Sequence, residues 1–169
     1  MIACVDVDYR DMRAIAAGIA FRDWFDESDE SIVAERVVSL SGIEPYQSGQ
    51  FFLRELPCIL AVLRLLPPVQ IILIDGYVWL DENRPGLGAH LYESLEGGTP
   101  VIGVAKTRYV GATDVQEITR GKSKQLLYIS AVGLSVAEAA ENIRAMAGPY
   151  RIPTLLKRVD CLSRQSYEL

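Results

Sequence analysis

The chain has 169 residues, of which 50% are hydrophobic and 23% are charged. This length is ordinary for one domain with a sizeable core, so we predict a single domain over residues 1–169. The most apolar stretch, residues 58–74, is interrupted by an arginine, two prolines and a glutamine. That pattern excludes a membrane helix, which needs about 20 consecutive apolar residues. Met1 leads directly into a strand-like segment without a signal-peptide pattern, so we expect a cytoplasmic protein.

The formal net charge is −5 at pH 7, which argues against nucleic-acid binding because proteins that grip phosphates usually have a basic surface. The charge is unevenly distributed along the chain. Residues 1–100 contain 7 Lys and Arg against 16 Asp and Glu, whereas residues 101–169 contain 10 against 6. The basic part suits a polyanionic partner and the acidic part suits a metal ion; the alternative is a solvated surface without a partner.

Three strand-like segments open the chain. Residues 2–9 and 12–22 are separated by a polar pair, which predicts an antiparallel hairpin. The β-branched segment 31–40 predicts a third strand of the same meander. From Gly49 onward, apolar residues recur every three or four positions, which predicts a helix with one buried face that ends by Pro67.

The second half alternates strands and helices. The run 69–75 is apolar apart from Gln70 and its last residue, which is typical of a central strand covered on both faces. The other predicted elements are strands at 99–105, 114–119 and 125–131 and helices at 86–95, 135–147 and from Pro153 onward. We therefore predict an α/β fold with a mixed sheet of five or more strands and helices on both faces.

Three carboxylates occupy positions where a surface acid is not expected. Asp6 lies in the middle of the first strand, where burial costs free energy unless a cation or hydrogen-bond donors compensate the charge. Glu55 lies on the apolar stripe of the first helix. Asp75 ends a buried strand at the carboxyl edge, where open α/β sheets place their ligand sites.

These carboxylates converge if the first strand and the 69–75 strand are neighbours and the first helix packs across them. Such a cluster suits a hard cation such as Mg²⁺ and metal-assisted phosphoryl chemistry. Each acid also has an ordinary alternative: Asp6 at a strand edge, Glu55 on an exposed helix surface and Asp75 as a cap. Spacing alone therefore does not identify a reaction.

Four segments, in order along the chain, resemble motifs of the endonuclease V family. Its first-strand motif is similar to VDVDY, and its pattern Tyr-x-Pro-Gly-x-x-x-Phe-Arg-Glu is similar to YQSGQFFLRE. Its segment that begins Asp-Gly-His-Gly and continues Arg-x-Gly-Leu-x-x-His resembles IDGYVWLDENRPGLGAHL. Its Gly-Val-Ala-Lys-Ser-x-Leu stretch is close to VIGVAKTRYVG. The resemblance implies an RNase H-like fold and cleavage of DNA or RNA near a deaminated base, typically inosine.

The resemblance also assigns roles to residues. It implies that Mg²⁺ or Mn²⁺ is held by Asp6, Glu55 and Asp75. Lys106 takes the place of the family's lysine as a phosphate or transition-state contact, although a lysine there also suits a solvated strand end. The substrate-binding residues that the resemblance suggests are Tyr46, as a wedge in the gap left by a displaced base, Gly49, Gly76 and His90. Alternatively, Tyr46 packs within a loop and His90 makes a structural hydrogen bond.

The chain departs from the family pattern around the substrate. Ser48 stands where the family has Pro, and Tyr77 and Asp81 stand where it commonly has His. These departures change the residues around the substrate and leave the metal ligands in place. Two alternatives therefore stay open: a nucleic-acid-binding relative without catalysis, and an RNase H-like nuclease that prefers another substrate structure. We expect a monomer.

Overall fold

The computed structural model describes residues 1–10, 12–25, 28, 30–42 and 52–165. The elements in chain order are β1 (Ile2–Arg10), β2 (Arg13–Phe21), β3 (Ile32–Ser41), α1 (Phe52–Leu63), β4 (Ile71–Asp75), β5 (Trp79–Asp81), β6 (Arg84–Pro85), α2 (Leu87–Ser94), β7 (Val101–Ala105), β8 (Gln116–Ile118), β9 (Leu127–Val132), α3 (Val136–Ala145) and α4 (Thr154–Arg164). Tyr46, Ser48 and Gly49 lie outside the described residues.

Seven strands form one mixed sheet in the order β3-β2-β1-β4-β7-β9-β8. The first three strands form the antiparallel meander that the sequence predicts. β1 is parallel to β4, and β4 is parallel to β7, whereas β9 is antiparallel to both of its neighbours. The prediction of a mixed sheet with five or more strands, including a βαβ unit, is confirmed.

The helices divide between the two faces of the sheet. In β1, Ile2 and Cys4 join the core beneath α3 and α4, whereas Val5 joins the core beneath α1 and α2. This division follows from the alternation of side chains along a strand. The prediction of helices on both faces is therefore confirmed.

Small residues in β2 let α1 pack close to the sheet. A Cβ atom on Gly18 would lie 3.0 Å from the Leu66 side chain and 3.2 Å from that of Val62. Ala14 and Ala16, which are fully buried, belong to the same core as Val62. The run of small side chains thus sets how near the helix that carries Glu55 lies to the strand that carries Asp6.

The structure differs from the sequence prediction in two places. The β5–β6 ribbon follows β4 and was not predicted, because its strands are too short to show a period. α3 ends at Ala145, slightly before the predicted 147, although its cap is as expected: the Glu138 backbone N–H donates to Ser135 Oγ at 3.1 Å. Among the described residues, no helix is both long enough and apolar enough to cross a membrane.

Candidate functional site

Three neighbouring parallel strands bring charged side chains together. The pairing between β1 and β4 ends at Val5 and Ile74, so Asp6 and Asp75 follow directly after the last residues paired between these two strands. Asp75 pairs with Val104 of β7, and Lys106 lies two residues further on. Because side chains alternate along a strand, Asp6, Asp75 and Lys106 all project toward the face covered by α4.

Lys106 and Asp75 form an ion pair at this edge. The Lys106 ammonium donates to Asp75 Oδ2 at 2.7 Å, and the two side chains are 41% and 47% exposed. A pair with this exposure contributes little to stability, since water screens both charges. Its significance is therefore positional: it places a cation and an anion side by side, accessible to a ligand.

α4 closes the other side of the site. The Ser163 hydroxyl lies 2.5 Å from Asp6 Oδ2 and 2.9 Å from the Asp160 carbonyl oxygen. Its single proton goes to the carboxylate, the nearer and charged acceptor. Asp160, one turn earlier on the same helix, lines a cavity of about 240 Å³ together with Asp6, Asp75, Lys106 and Lys157. The sequence analysis did not single out Ser163 or Asp160.

Burial and neighbouring negative charges raise the pKa values of two acids at this site. Burial raises the pKa of Asp6, the charges of Asp75 and Asp160 raise it further, and the Ser163 hydrogen bond partly offsets the rise. Burial also raises the pKa of Glu55 to about 8, with further contributions from Asp6 and Asp75. The charges of Asp6 and Asp75 thus act on Glu55, and a shared metal site for the three carboxylates stays a prediction.

Glu55 reaches the site from the first turn of α1. The preceding residue, Arg54, places its guanidinium 4.1 Å from the centre of the Tyr9 ring on β1. A cation at this distance from an aromatic face is attracted to it. The contact holds the first turn of α1 against β1, and so holds Glu55 near Asp6.

The donor set fits a hard divalent cation. Such ions prefer carboxylate oxygens, and a bound cation would favour the charged forms of Asp6 and Glu55, opposing the burial and the repulsion that raise their pKa values. As the side chains are placed, no three His, Cys, Asp or Glu residues in the described part of the chain form a ready ligand set. In this arrangement Lys106 and Ser163 partly compensate the charges of Asp75 and Asp6.

Comparison with known proteins identifies the family. The family model for endonuclease V matches residues 1–146. The chain belongs to the endonuclease V family. Members of this family are nucleases that hydrolyse phosphodiester bonds, generally with a metal ion.

Individual relatives agree with this assignment. Endonuclease V of Streptomyces coelicolor is 31% identical over 95% of this chain and 76% of its own length. The crystal structure of endonuclease V from Streptomyces avermitilis has a TM-score of 0.77 at 27% identity, covering 96% of this chain and 79% of that one. The RNase H-like fold that the sequence predicts is thereby confirmed.

A third relative was crystallised with nucleic acid. Endonuclease V of Ciona intestinalis, in complex with a 24mer DNA that contains an inosine followed by a ribo-adenosine, has a TM-score of 0.76. It is 20% identical and covers 96% of this chain and 84% of that one. At this identity, the likeness supports the shared fold.

The predicted substrate residues of the endonuclease V motifs have mixed outcomes. Gly76 has a φ of +118°, a conformation that L side chains rarely adopt, so its backbone requires glycine beside Asp75. His90 stacks on Phe52, with ring centres 3.7 Å apart, and thereby joins α2 to α1. That contact agrees with a structural role. The roles of Tyr46 and Gly49 stay predictions, because both lie outside the described residues.

Two arginines that the sequence analysis did not single out hold the segment before α4. Arg120 is 5% exposed, and its guanidinium donates to four backbone carbonyl oxygens, those of Met146, Gly148, Tyr150 and Arg151. Arg151 in turn donates to the carbonyl oxygens of Lys106 and Leu126. These bonds connect α4 to the strand end that carries Lys106.

Proposed function

We propose that this chain is an endonuclease that cleaves DNA or RNA near a deaminated base, inosine, using Mg²⁺ or Mn²⁺ held by Asp6, Glu55 and Asp75. The observation that carries the proposal is the placement of Asp6 and Asp75 on adjacent parallel strands, with the Lys106 ammonium paired to Asp75. The raised pKa of Glu55, to which Asp6 and Asp75 contribute, supports its place beside them. The inosine-containing DNA bound by the Ciona relative supports the substrate. The monomeric state, the single-domain organisation and the cytoplasmic location stay predictions.

The residues around the cavity have distinct tasks in this reaction. In phosphodiester hydrolysis, a water oxygen bonds to phosphorus, the bond to the leaving oxygen breaks, and that oxygen takes a proton. A divalent ion bound by the carboxylates supplies charge neutralisation at the phosphate. Lys106 neutralises further negative charge, since its ammonium is exposed beside Asp75.

The Lys106–Asp75 ion pair gives Lys106 a second task. While the pair is intact, the lysine shares the Asp75 carboxylate with any incoming cation. A bound phosphate would give the lysine a second anionic partner, and the Asp75 carboxylate would then be free to hold the ion. Ser163 keeps Asp6 oriented throughout, because it donates from a helix whose position is fixed independently.

The direct test is cleavage of labelled single-stranded DNA and RNA, each with and without one inosine, in Mg²⁺ and in Mn²⁺. We expect cuts that depend on inosine and on the ion, and that disappear in Asp75→Ala. Glu93→Ala, which removes an exposed carboxylate on α2, is the matched control and should cleave normally. Metal-dependent cleavage at equal rates with and without inosine would refute the inosine specificity and retain the nuclease activity.

A non-catalytic, nucleic-acid-binding role is the second candidate. It is favoured by Tyr77, which replaces the family's usual histidine and whose hydroxyl is bonded to the segment after Lys106. Retained binding with no cleavage in either ion would establish this role and refute the first.

A further inference from the structure

The segment after Lys106 presents cationic and apolar side chains to solvent. Residues 106–113 contain Lys106 and Arg108 and no acidic residue. Tyr109 is 37% exposed and Val110 is 90% exposed. Proteins that bind single-stranded nucleic acids use exposed aromatic rings to stack on bases and neighbouring cations to contact phosphates.

Tyr77 fixes the backbone of this segment. Its hydroxyl donates to the Thr107 carbonyl oxygen at 2.7 Å and accepts from the Tyr109 backbone N–H at 3.0 Å. The Tyr77 and Tyr109 rings lie 6.0 Å apart, centre to centre, at 55°. The exposed Tyr109 ring therefore stands on a braced segment.

Arg84, from the β5–β6 ribbon, holds Tyr109 from another side. Its guanidinium carbon lies 5.7 Å from the centre of the Tyr109 ring, and the guanidinium donates to the Tyr109 hydroxyl. Asp81 forms an ion pair with Arg84 at 3.5 Å. Held in this way, the ring has little conformational freedom to lose on binding, which favours stacking.

The two tyrosines contact each other. The hydrogen bond from the Tyr109 N–H to the Tyr77 hydroxyl joins the two positions. Together with Arg84, they form a surface, here called the tyrosine platform, next to Asp75 and Lys106.

We propose that the tyrosine platform binds single-stranded nucleic acid, with one unpaired base stacked on Tyr109 and the adjoining phosphates contacted by Arg84 and Arg108. The inference deepens the proposed function, on which it rests, by naming the strand state of the substrate. In a duplex, both faces of each internal base are already stacked on adjacent bases. The Tyr109 ring therefore has no free base face to stack on. The platform thus selects unpaired strands through Tyr109.

The test is fluorescence anisotropy with a labelled 12-nucleotide single strand without inosine, and with its duplex, in chelator so that no cleavage occurs. Tyr109→Leu keeps apolar bulk; Tyr109→Phe keeps the ring. We expect Tyr109→Leu to weaken single-strand binding about tenfold, duplex binding less than about twofold, and Tyr109→Phe to stay near wild type. Thermal unfolding confirms that each variant folds.

Phe25→Ala is the matched control. Phe25 is 72% exposed and follows β2 at the opposite end of the sheet, where Phe21 pairs with Ile2, so its removal should change nothing. Three results would overturn the platform. Tyr109→Leu could lose affinity equally for single strand and duplex, it could lose none, or the wild type could bind neither. If binding depends on Tyr109 but no inosine substrate is cleaved, the proposed function fails and the platform stands.

Discussion

The candidate site has two halves that the chain builds differently. The strand half comprises Asp6, Asp75 and Lys106, whose placement follows from backbone pairing between parallel strands. The helix half comprises Glu55, Asp160 and Ser163, whose placement depends on how α1 and α4 pack against the sheet.

The difference shows where precision comes from in this site. Once β1, β4 and β7 pair, the hydrogen-bond ladder leaves no freedom in which residue follows each strand or which face it takes. A helix can shift along the sheet, so the helix half needs additional contacts. Arg54 on Tyr9 supplies one for α1, and Arg120 with Arg151 supplies others for α4.

The largest expected effect is on the strand half. Asp6→Asn should lower kcat/KM for cleavage by about 100-fold or more, because the neutral amide cannot neutralise a divalent ion. The free energy of unfolding without metal should not fall, since Asp6 lies among other acids and burial already disfavours its charge. Cleavage kinetics measure kcat/KM, and urea unfolding in chelator measures the free energy of unfolding. Unchanged cleavage would remove Asp6 from the site.

The next prediction concerns only the helix half, through the packing of α4. Arg120→Met removes the donor to four carbonyl oxygens in the segment before α4, and we expect a loss of roughly 2–4 kcal/mol in the free energy of unfolding. Arg144→Ala, which removes a surface ion pair with Glu141, is the control and should cost less than about 1 kcal/mol. Equal costs would mean that Arg120 does not hold α4.

Glu55 makes the metal-free protein sensitive to pH. Its folded pKa of about 8 lies above the ordinary value of 4.5, so the folded state binds the extra proton between these values. Stability from this group is therefore full below pH 4.5 and is lost as the pH rises through 8, by on the order of 5 kcal/mol.

Urea unfolding in chelator between pH 5 and pH 9 measures this loss. Glu55→Gln should flatten the dependence, and saturating Mg²⁺ should reduce it in the wild type, because the ion favours the charged carboxylate. A wild-type profile as flat as that of Glu55→Gln would contradict the raised pKa.

The smallest effect concerns the contact between the halves. Ser163→Ala removes the hydrogen bond to Asp6, and we expect kcat/KM to fall about three- to tenfold, in line with roughly 1 kcal/mol for one hydrogen bond. Cys161→Ser, on the exposed side of the same helix, is the control and should cleave normally. A loss as large as that of Asp6→Asn would show that α4 supplies more than orientation.

Two residues of the strand half are visible from periodicity: Asp6 in mid-strand and Asp75 at the end of a buried strand. Lys106, which follows β7, is indicated only by the resemblance to the endonuclease V family. Glu55 is visible as an acid on an apolar stripe. The fold follows from the same patterns, apart from the short β5–β6 ribbon.

The rest of the site could not be predicted, for physical reasons. Asp160 and Ser163 belong to a helix with many polar residues, so nothing in α4 marks them until its packing on β1 is known. Arg120 and Arg151 act through backbone carbonyl oxygens, which leave no trace in the sequence. By contrast, the N-terminal cap of α3 at Ser135 is predicted by its spacing from Glu138, and the structure confirms it.

The hydrogen bond between Ser163 and Asp6 spans 157 positions of the chain. Closing a loop of this length costs conformational entropy that local contacts do not cost. The strands of the β1–β2–β3 meander can therefore pair without α4, whereas the hydrogen bond that orients Asp6 needs the complete fold.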